Sequence, residues 1–217
     1  MENILTPLYN SPLLPDYVEE LTLFLQQEKE RRLAFYEWLD EDKKAEFIDG
    51  EIVVHSPARK IHITALSNLA EQIKAFVVKK SLGLVLKEQA LIRMKRSDFM
   101  PVLVFFSNEK AAGIKDDTKI YPLPDFIVEF LSASTEKIDR GKKFVEYALN
   151  GVKEYWMVNA DEKYVEQYLL IGQEYLLKGK YDMGEAVECI VLKGLLIDVA
   201  SIFDEKESQI AMQKILG

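Results

Sequence analysis

Apolar residues recur at helical spacing in two long stretches of the first 80 residues. They do so across residues 15–39 and again across residues 60–80. Positions three and four apart share one side of an α-helix, so both stretches predict helices. Between them, AEFIDGEIVV alternates apolar and polar residues around Asp49-Gly50. That dipeptide is typical of a tight hairpin turn, so the segment predicts two paired strands.

Strand-like patterns fill most of the remaining chain. We predict strands at 83–94, 101–106, 124–132, 154–159, 163–171, 174–181 and 194–203. A helix is predicted from about Ser134 to Asn150, ended by Gly151, and a short one over the last residues. This order predicts an α/β or α+β fold, with a central mixed sheet flanked by helices and an extra N-terminal helix. We divide the chain into a helical extension (1–40), one core domain (41–205) and a helical tail (206–217).

Glu129 stands in the middle of the apolar strand PDFIVEFLS. A buried carboxylate is costly unless it is paired, hydrogen-bonded or bound to a metal. Side chains alternate along a strand, so Glu129 shares its face with Ile127 and Leu131. Glu129 therefore has either a neutralising partner or a place in a site at that end of the strand.

The helix after this strand carries a polar stripe. Asp139, Lys143 and Tyr147 follow one another at intervals of four. The buried side of the helix is expected to carry its apolar residues Ile138, Val145 and Leu149. A strand carboxylate beside an inward lysine suits metal-assisted hydrolysis, in which the lysine steadies the attacking water or developing phosphate charge. The alternative is a structural Glu129–Lys143 salt bridge.

Composition limits the classes of protein that fit. The chain has 217 residues, of which 48% are hydrophobic and 29% charged, as in a globular protein with a sizeable core. No apolar run approaches the ~20 residues that cross a bilayer, and the start MENILTPLYN does not predict a signal peptide. One cysteine fits a reducing cytoplasm. The net charge of -8 argues against simple electrostatic coating of nucleic acid, although a nuclease also places acids at its centre.

Several motifs in one order resemble a known family. They are AEFIDGEIVVHSP, a histidine opening a helix, PDFIVEFLSAST, DRGKKFVEY and GVKEYWMVN. Together they are similar to the Uma-two family of restriction endonucleases, within the PD-(D/E)XK nuclease superfamily, from about Phe35 to Phe203. The resemblance implies a restriction-endonuclease-like core, Mg²⁺-dependent (or Mn²⁺-dependent) hydrolysis of DNA phosphodiesters, and a homodimer.

The resemblance also implies site residues. Glu129 matches the acid of the (D/E)XK element, and Leu131 stands where the lysine is usual. Lys143, on the next helix, matches the lysine that replaces it in this family, and Glu46 matches a further acid. Glu129 and Glu46 are thus expected to hold the metal, with Lys143 as the third catalytic residue. His62 matches a histidine at the rim of the site.

One position departs from the family pattern. The run FMPVLVFF has Val102 where an aspartate is expected after the proline, and valine cannot ligate a metal. Asp125 is about 13 Å along the strand from Glu129, too far to share one ion without a bend. A replacement by Asp98, four residues before Val102, is equally open. The sequence therefore predicts an impaired site.

Basic residues near this position are candidate DNA contacts. Arg93, Lys95 and Arg96 lie close in sequence to the Val102 strand, and Arg59 with Lys60 precedes the helix that His62 opens. Such clusters can follow phosphates, or they can serve only to solubilise the surface.

Three functions remain open at this stage. The first is a Mg²⁺-dependent DNA endonuclease, and the second is an inactive nuclease-fold protein that binds DNA or dimerises. The third is a small-molecule hydrolase with Glu129 as general base, which no Ser-His-Asp elbow or zinc-ligand spacing supports.

Overall fold

The structure is a computed structural model that describes residues 5–40 and 42–217. Its helices are α1 (Thr6–Tyr9), α2 (Leu14–Trp38), α3 (Lys60–Lys80), α4 (Asn108–Ala111), α5 (Glu136–Ile138), α6 (Phe144–Asn150), α7 (Val199–Phe203) and α8 (Glu205–Leu216). A π-helical turn, Asp139–Lys143, joins α5 to α6. The first strands are β1 (Ala45–Ile48), β2 (Glu51–Val54), β3 (Gly83–Lys87), β4 (Leu91–Arg93), β5 (Asp98–Phe99), β6 (Leu103–Ser107) and β7 (Ile120–Tyr121). The later strands are β8 (Phe126–Leu131), β9 (Glu154–Asn159), β10 (Tyr164–Ile171), β11 (Glu174–Tyr181), β12 (Ala186–Glu188) and β13 (Leu196–Asp198).

A six-stranded mixed sheet forms the centre of the fold, in the order β11-β10-β9-β8-β6-β3. The β8–β9 pair is parallel and the other pairs are antiparallel. The five-residue π turn with its flanking helices provides the crossover that a parallel pair requires. The predicted mixed sheet flanked by helices is therefore confirmed.

The central sheet buries apolar side chains on both faces. On one face, Phe126 and Val128 of β8 pack with the helix α3 residues Leu69 and Ile73. On the other face, Ile127 of β8 packs with Tyr147 of α6 and with residues from β4 and β5. Glu129 lies on this second face, between strand and helix, because strand side chains alternate.

A second sheet, in the order β2-β1-β5-β4-β7, packs beside this second face. Helix α2 packs on this second sheet and is joined to it by a buried ion pair between Arg32 and Asp98. Arg32 Nε donates to Asp98 Oδ2 at 2.5 Å and Arg32 Nη2 to Oδ1 at 2.6 Å, while the Tyr36 hydroxyl donates to Oδ2 at 2.9 Å. Asp98 is fully buried, so these bonds are what make its burial tolerable.

Several predicted elements match the structure closely. The hairpin turns at Asp49 and Gly50, both with positive φ (51° and 86°), as a type I′ turn requires. Helix α6 ends at Gly151, whose φ of 91° lies in the left-handed region that favours glycine.

Two predicted strands differ from the structure. Residues 83–94 form two strands in different sheets, because Glu88 and Gln89 take positive φ values and turn the chain. In 194–203 only Leu196–Asp198 is a strand. The side chain of Asp198 accepts a hydrogen bond from the Ala200 amide at 2.9 Å and so begins helix α7.

Within the described residues, no helix combines the length and apolar character that crossing a bilayer needs. The predicted division at residues 40/41 and 205/206 stays a prediction. Residues 1–4, part of the segment read for a signal peptide, and residue 41, at the first boundary, lie outside the described residues.

Candidate active site

The Lys143 ammonium group is the centre of a buried cluster of carboxylates. Its Nζ lies 2.8 Å from Glu129 Oε1, 2.9 Å from Glu46 Oε1 and 3.3 Å from Asp139 Oδ1. All four side chains are almost completely buried. The structure thus brings together the three residues that the sequence proposed as catalytic, Glu46, Glu129 and Lys143. Their catalytic roles stay predictions.

The π turn gives Lys143 its inward direction. In a π turn the chain is locally under-wound, and such turns are frequent at functional sites. Asp139, Lys143 and Tyr147 all face the sheet, whereas Val145 and Leu149 are 52% and 49% exposed. The expectation that these two apolar residues lie on the buried side was therefore wrong. The buried strand residues Glu46 and Glu129 require a counter-ion, and Lys143 of the polar stripe is that counter-ion.

Further hydrogen bonds fix the two glutamates. Glu129 Oε1 also accepts from the Tyr147 hydroxyl at 3.0 Å, and Glu129 Oε2 accepts from the Val102 amide at 3.3 Å. Glu46 Oε1 accepts from the Met100 amide at 2.7 Å. Lys143 therefore meets carboxylates that the backbone and a tyrosine already hold in place.

The environment separates the two glutamates in acidity. Burial raises the pKa of Glu129 to about 7, against the opposing effect of Lys143 and with the support of the Asp139 and Glu46 charges. Glu46 is buried too, but Lys143 and His55 outweigh its burial and lower its pKa to about 2. Burial alone would lower the pKa of Lys143, but the carboxylates reverse that effect and raise it well above its ordinary value. At neutral pH the ion pair is thus chiefly Glu46 with Lys143, and Glu129 is poised to titrate.

Three members of this cluster, Glu129, Asp139 and Lys143, line a cavity of about 540 Å³, and Glu46 lies behind them. The wall and rim include Lys44, His55, Ser56, Arg59, His62, Val102, Ser134 and Asp161. At the rim, Arg59 Nη2 lies 2.5 Å from Asp161 Oδ2 and 3.1 Å from His62 Nε2. His62 lines the cavity, where the sequence placed it at the rim of the site. Burial and the Arg59 charge lower its pKa. Its functional role stays a prediction.

Val102 lines this cavity directly beside Glu129. The two acids considered as replacements for the missing aspartate lie in other ion pairs. Asp98 binds Arg32, and Asp125 Oδ1 accepts from Lys153 Nζ at 2.8 Å. Neither lines the cavity, so no carboxylate among these candidates occupies the place that Val102 leaves.

Sequence reasoning missed His55. Its Nε2 lies 3.2 Å from Glu46 Oε2, and the ring lines the cavity. The histidine was part of the quoted hairpin motif, AEFIDGEIVVHSP, but the contact depends on the register Ala45↔Val54, which puts the end of β2 beside the start of β1. The Asp49-Gly50 turn sets this register, so the hairpin sequence itself contained the signal for the pair.

The basic residues Arg93, Lys95 and Arg96 do not line the cavity. Arg96 Nη2 pairs with Glu28 Oε2 at 2.5 Å, and the Arg93 guanidinium stacks over the Tyr36 ring at 5.1 Å. Both contacts tie β4 and its following turn to helix α2. DNA contact by these three residues stays a prediction.

As arranged, the donor set does not fit the expected metal. Mg²⁺ takes near-octahedral oxygen ligands at about 2.0–2.1 Å. Over the described ranges 5–40 and 42–217, no group of three or more His, Cys, Asp or Glu side chains is placed to hold a metal ion. The Oε1 atoms of Glu46 and Glu129 both lie against Lys143 Nζ, so an ammonium group stands between them. Dependence on Mg²⁺ or Mn²⁺ stays a prediction.

The raised pKa of Glu129 predicts a specific pH dependence of folding stability. An acid whose folded pKa lies above its ordinary value of 4.5 binds its proton more tightly in the folded state. Its stabilising contribution is fully present below pH 4.5 and is lost as the pH rises through about 7, roughly 3 kcal/mol in all. We expect Glu129→Gln to fold and to lack this loss. Urea unfolding of both proteins between pH 4.5 and 7.5 measures it, and parallel curves would contradict the assignment.

A mixed sheet with Glu129 on its central strand β8, faced by Lys143 from the following π turn, defines the class as restriction-endonuclease-like. The family model described as "Uma2: Putative restriction endonuclease" matches residues 32–200. The chain belongs to this Uma2 (Uma-two) family, as its motifs predicted.

A solved structure shares the fold. It is described as a "putative nuclease belonging to DUF820" from Anabaena variabilis ATCC 29413, and it matches with a TM-score of 0.67 at 17% sequence identity. The match covers 78% of this chain and 94% of that one. A search of curated proteins found no match.

Proposed function

We propose that this chain is a DNA-binding protein of the Uma2 endonuclease family in which phosphodiester hydrolysis has been lost. One observation carries the proposal: Val102 lies in the cavity wall beside Glu129, at the position where the family resemblance leads us to expect an aspartate. A metal held there would lose a carboxylate ligand, and the Lys143 ammonium group already stands between Glu46 and Glu129. Without a metal or an equivalent cation, the developing charge on a phosphoryl group has little to stabilise it. We place the DNA binding of this chain in the cytoplasm.

The rim of the cavity supports the DNA-binding part of the proposal. Lys44 and Arg59 lie there together with the hydroxyl-bearing residues Ser56 and Ser134. Arginine, lysine and hydroxyl groups are the usual partners of the phosphate backbone. Arg59 is well exposed and paired with an equally exposed Asp161, so its guanidinium can turn toward a phosphate at small cost.

A binding measurement tests this assignment. We expect Arg59→Ala to weaken binding to a fluorescent DNA duplex by about 3–10-fold for any sequence, and to lower the slope of log affinity against log salt by about one. Arg93→Ala is the matched control, because Arg93 lies outside the cavity. An equal loss in both variants would contradict a binding surface confined to the cavity rim. Absence of binding by the natural chain would overturn the proposal.

A second candidate is residual Mg²⁺-dependent or Mn²⁺-dependent hydrolysis of DNA. The approach of Glu46 Oε1 and Glu129 Oε1 to one point, within 2.9 Å and 2.8 Å of Lys143 Nζ, favours it. Cleavage by the natural chain that Glu129→Ala abolishes would establish this candidate in place of the first.

A further inference from the structure

The cavity beside Glu129 is larger and more apolar than contact with a phosphate backbone requires. Its volume is about 540 Å³, within the range of about 300–1,000 Å³ that is usual for small-molecule pockets. Its wall includes the apolar residues Ile63, Leu66, Met100 and Phe130. Phosphates are bound by charged and hydroxyl groups, which lie at the rim. The apolar wall therefore fits a second, uncharged part of a ligand.

One buried carboxylate oxygen in this cavity lacks a hydrogen-bond donor. Asp139 lines the cavity and is only 1% exposed. Its Oδ1 lies 3.3 Å from Lys143 Nζ, but no donor of the described residues forms a hydrogen bond with that oxygen. Buried polar atoms nearly always have such a partner, so an unpartnered one calls for an explanation. A donor group on a bound ligand would supply the missing bond.

We propose that the cavity receives a single unpaired base of the bound DNA, an inference that rests on the proposed DNA binding. A flat aromatic base would pack against the apolar wall, as bases do in proteins that take a nucleotide out of the double helix. Its sugar and phosphates would stay at the rim, near Lys44 and Arg59. A base inside a duplex must first lose its stacking and pairing, whereas an unpaired base avoids most of that cost.

Asp139 also predicts which bases are preferred. A carboxylate only accepts hydrogen bonds, and cytosine, adenine and guanine each carry an amino group that can donate to it. Thymine has no amino group, and its one ring N–H is flanked by two carbonyl oxygens that repel a carboxylate. Glu129 adds no free acceptor, because Lys143, Tyr147 and the Val102 amide already donate to its two oxygens. We therefore expect tighter binding of an unpaired cytosine than of an unpaired thymine.

Three variants distinguish the base pocket from the rest of the surface. Asp139→Asn keeps the size of the side chain but replaces the carboxylate by an amide, which also donates, and Lys143 keeps two glutamate partners. Ala133→Trp fills the cavity from its wall. Ala112→Trp is the matched control, because both alanines are exposed turn residues and only Ala133 lines the cavity.

Fluorescence anisotropy at one salt concentration tests the proposal with three duplexes that have the same number of base pairs. One is fully paired, and the others carry one unpaired cytosine or one unpaired thymine at the same place. We expect the natural chain and Ala112→Trp to bind the cytosine duplex at least about 10-fold more tightly than the paired duplex and about 5-fold more tightly than the thymine duplex. Asp139→Asn should reduce the preference for cytosine over thymine to about twofold or less. Ala133→Trp should remove the gain from either unpaired base.

The outcomes separate this inference from the proposed function. Equal affinity of the natural chain for the three duplexes would overturn the base pocket and leave the proposed DNA binding intact. A gain that Ala133→Trp retains would also overturn the pocket. Absence of binding to all three duplexes would overturn both proposals. Circular dichroism checks that each variant folds, and if Asp139→Asn does not fold, the comparison of Ala133→Trp with Ala112→Trp decides.

Discussion

Lys143→Met is expected to lower the free energy of unfolding at pH 7 by about 3–5 kcal/mol. The ammonium group of Lys143 is the shared partner of Glu46, Glu129 and Asp139, all of which are buried. Removing one member of a buried ion pair leaves its partner as an uncompensated charge. Methionine fills a similar volume, so the loss reports on charge rather than on a cavity.

The same variant has a characteristic pH dependence. Glu46, whose pKa lies at about 2 because of Lys143 and His55, loses its main counter-ion. Its pKa then rises, and acid protonates it while the protein is still folded. We expect the destabilisation to be largest near pH 8 and to shrink as the pH falls toward 4.

Lys142→Met is the control for this prediction. Lys142 is the neighbouring residue on the same π turn, but it is 33% exposed and pairs with the exposed Asp49 and with Glu146. Glu146 is largely buried, but it keeps the hydrogen bond from the Ser97 hydroxyl when Lys142 is removed. Pairs open to solvent contribute about 0–1 kcal/mol, so this change is expected to cost far less than Lys143→Met. Equal losses in the two variants, measured by urea unfolding at pH 7, would show that Lys143 is not a special counter-ion.

Val102→Asp is expected to create metal-dependent DNA cleavage at least about 100-fold above the natural chain. Losing even an outer partner of a metal ligand costs about 10–100-fold in affinity or activity, and under the proposed function an aspartate at position 102 would supply a ligand itself. The Val102 amide already lies 3.3 Å from Glu129 Oε2, so the new carboxylate would stand beside Glu129 at the cavity wall.

The cleavage by Val102→Asp should rise with pH. Burial raises the pKa of Glu129 to about 7, and a second carboxylate nearby raises it further. The ionised form needed for metal binding therefore accumulates only above neutrality. Val102→Asn is the matched control, since it has the shape of aspartate without its charge and should remain at most weakly active.

The sequence predicted the parts of this fold that depend on local chemistry. Asp49-Gly50 specified the hairpin turn, Gly151 ended a helix, and the apolar runs located the strands of the central sheet. Glu129 and Lys143 were paired correctly, because an interruption of a buried strand and an inward lysine each require a partner. Their spacing left metal-assisted hydrolysis and a structural salt bridge both open, and only the family resemblance favoured the first.

Other features depended on tertiary contacts that no local pattern contains. Val145 and Leu149 face outward because the opposite side of the helix must place Lys143 against the buried carboxylates. The basic cluster at 93–96 interacts with helix α2 because that helix crosses β4, which the sequence does not state. His55 joins Glu46 through strand register.

Cleavage of supercoiled plasmid in Mg²⁺ and in Mn²⁺ is the measurement that tests the loss of hydrolysis most directly. It compares the natural chain, Val102→Asp and the double variant Val102→Asp/Glu129→Gln, each checked for folding by circular dichroism. Glu129→Ala is added if the natural chain nicks the plasmid. We predict that Val102→Asp alone nicks the plasmid, because only this protein has both carboxylates beside the cavity wall. Nicking by the natural chain that Glu129→Ala abolishes would contradict the loss of hydrolysis, and inactivity of all three proteins would contradict the role assigned to Val102.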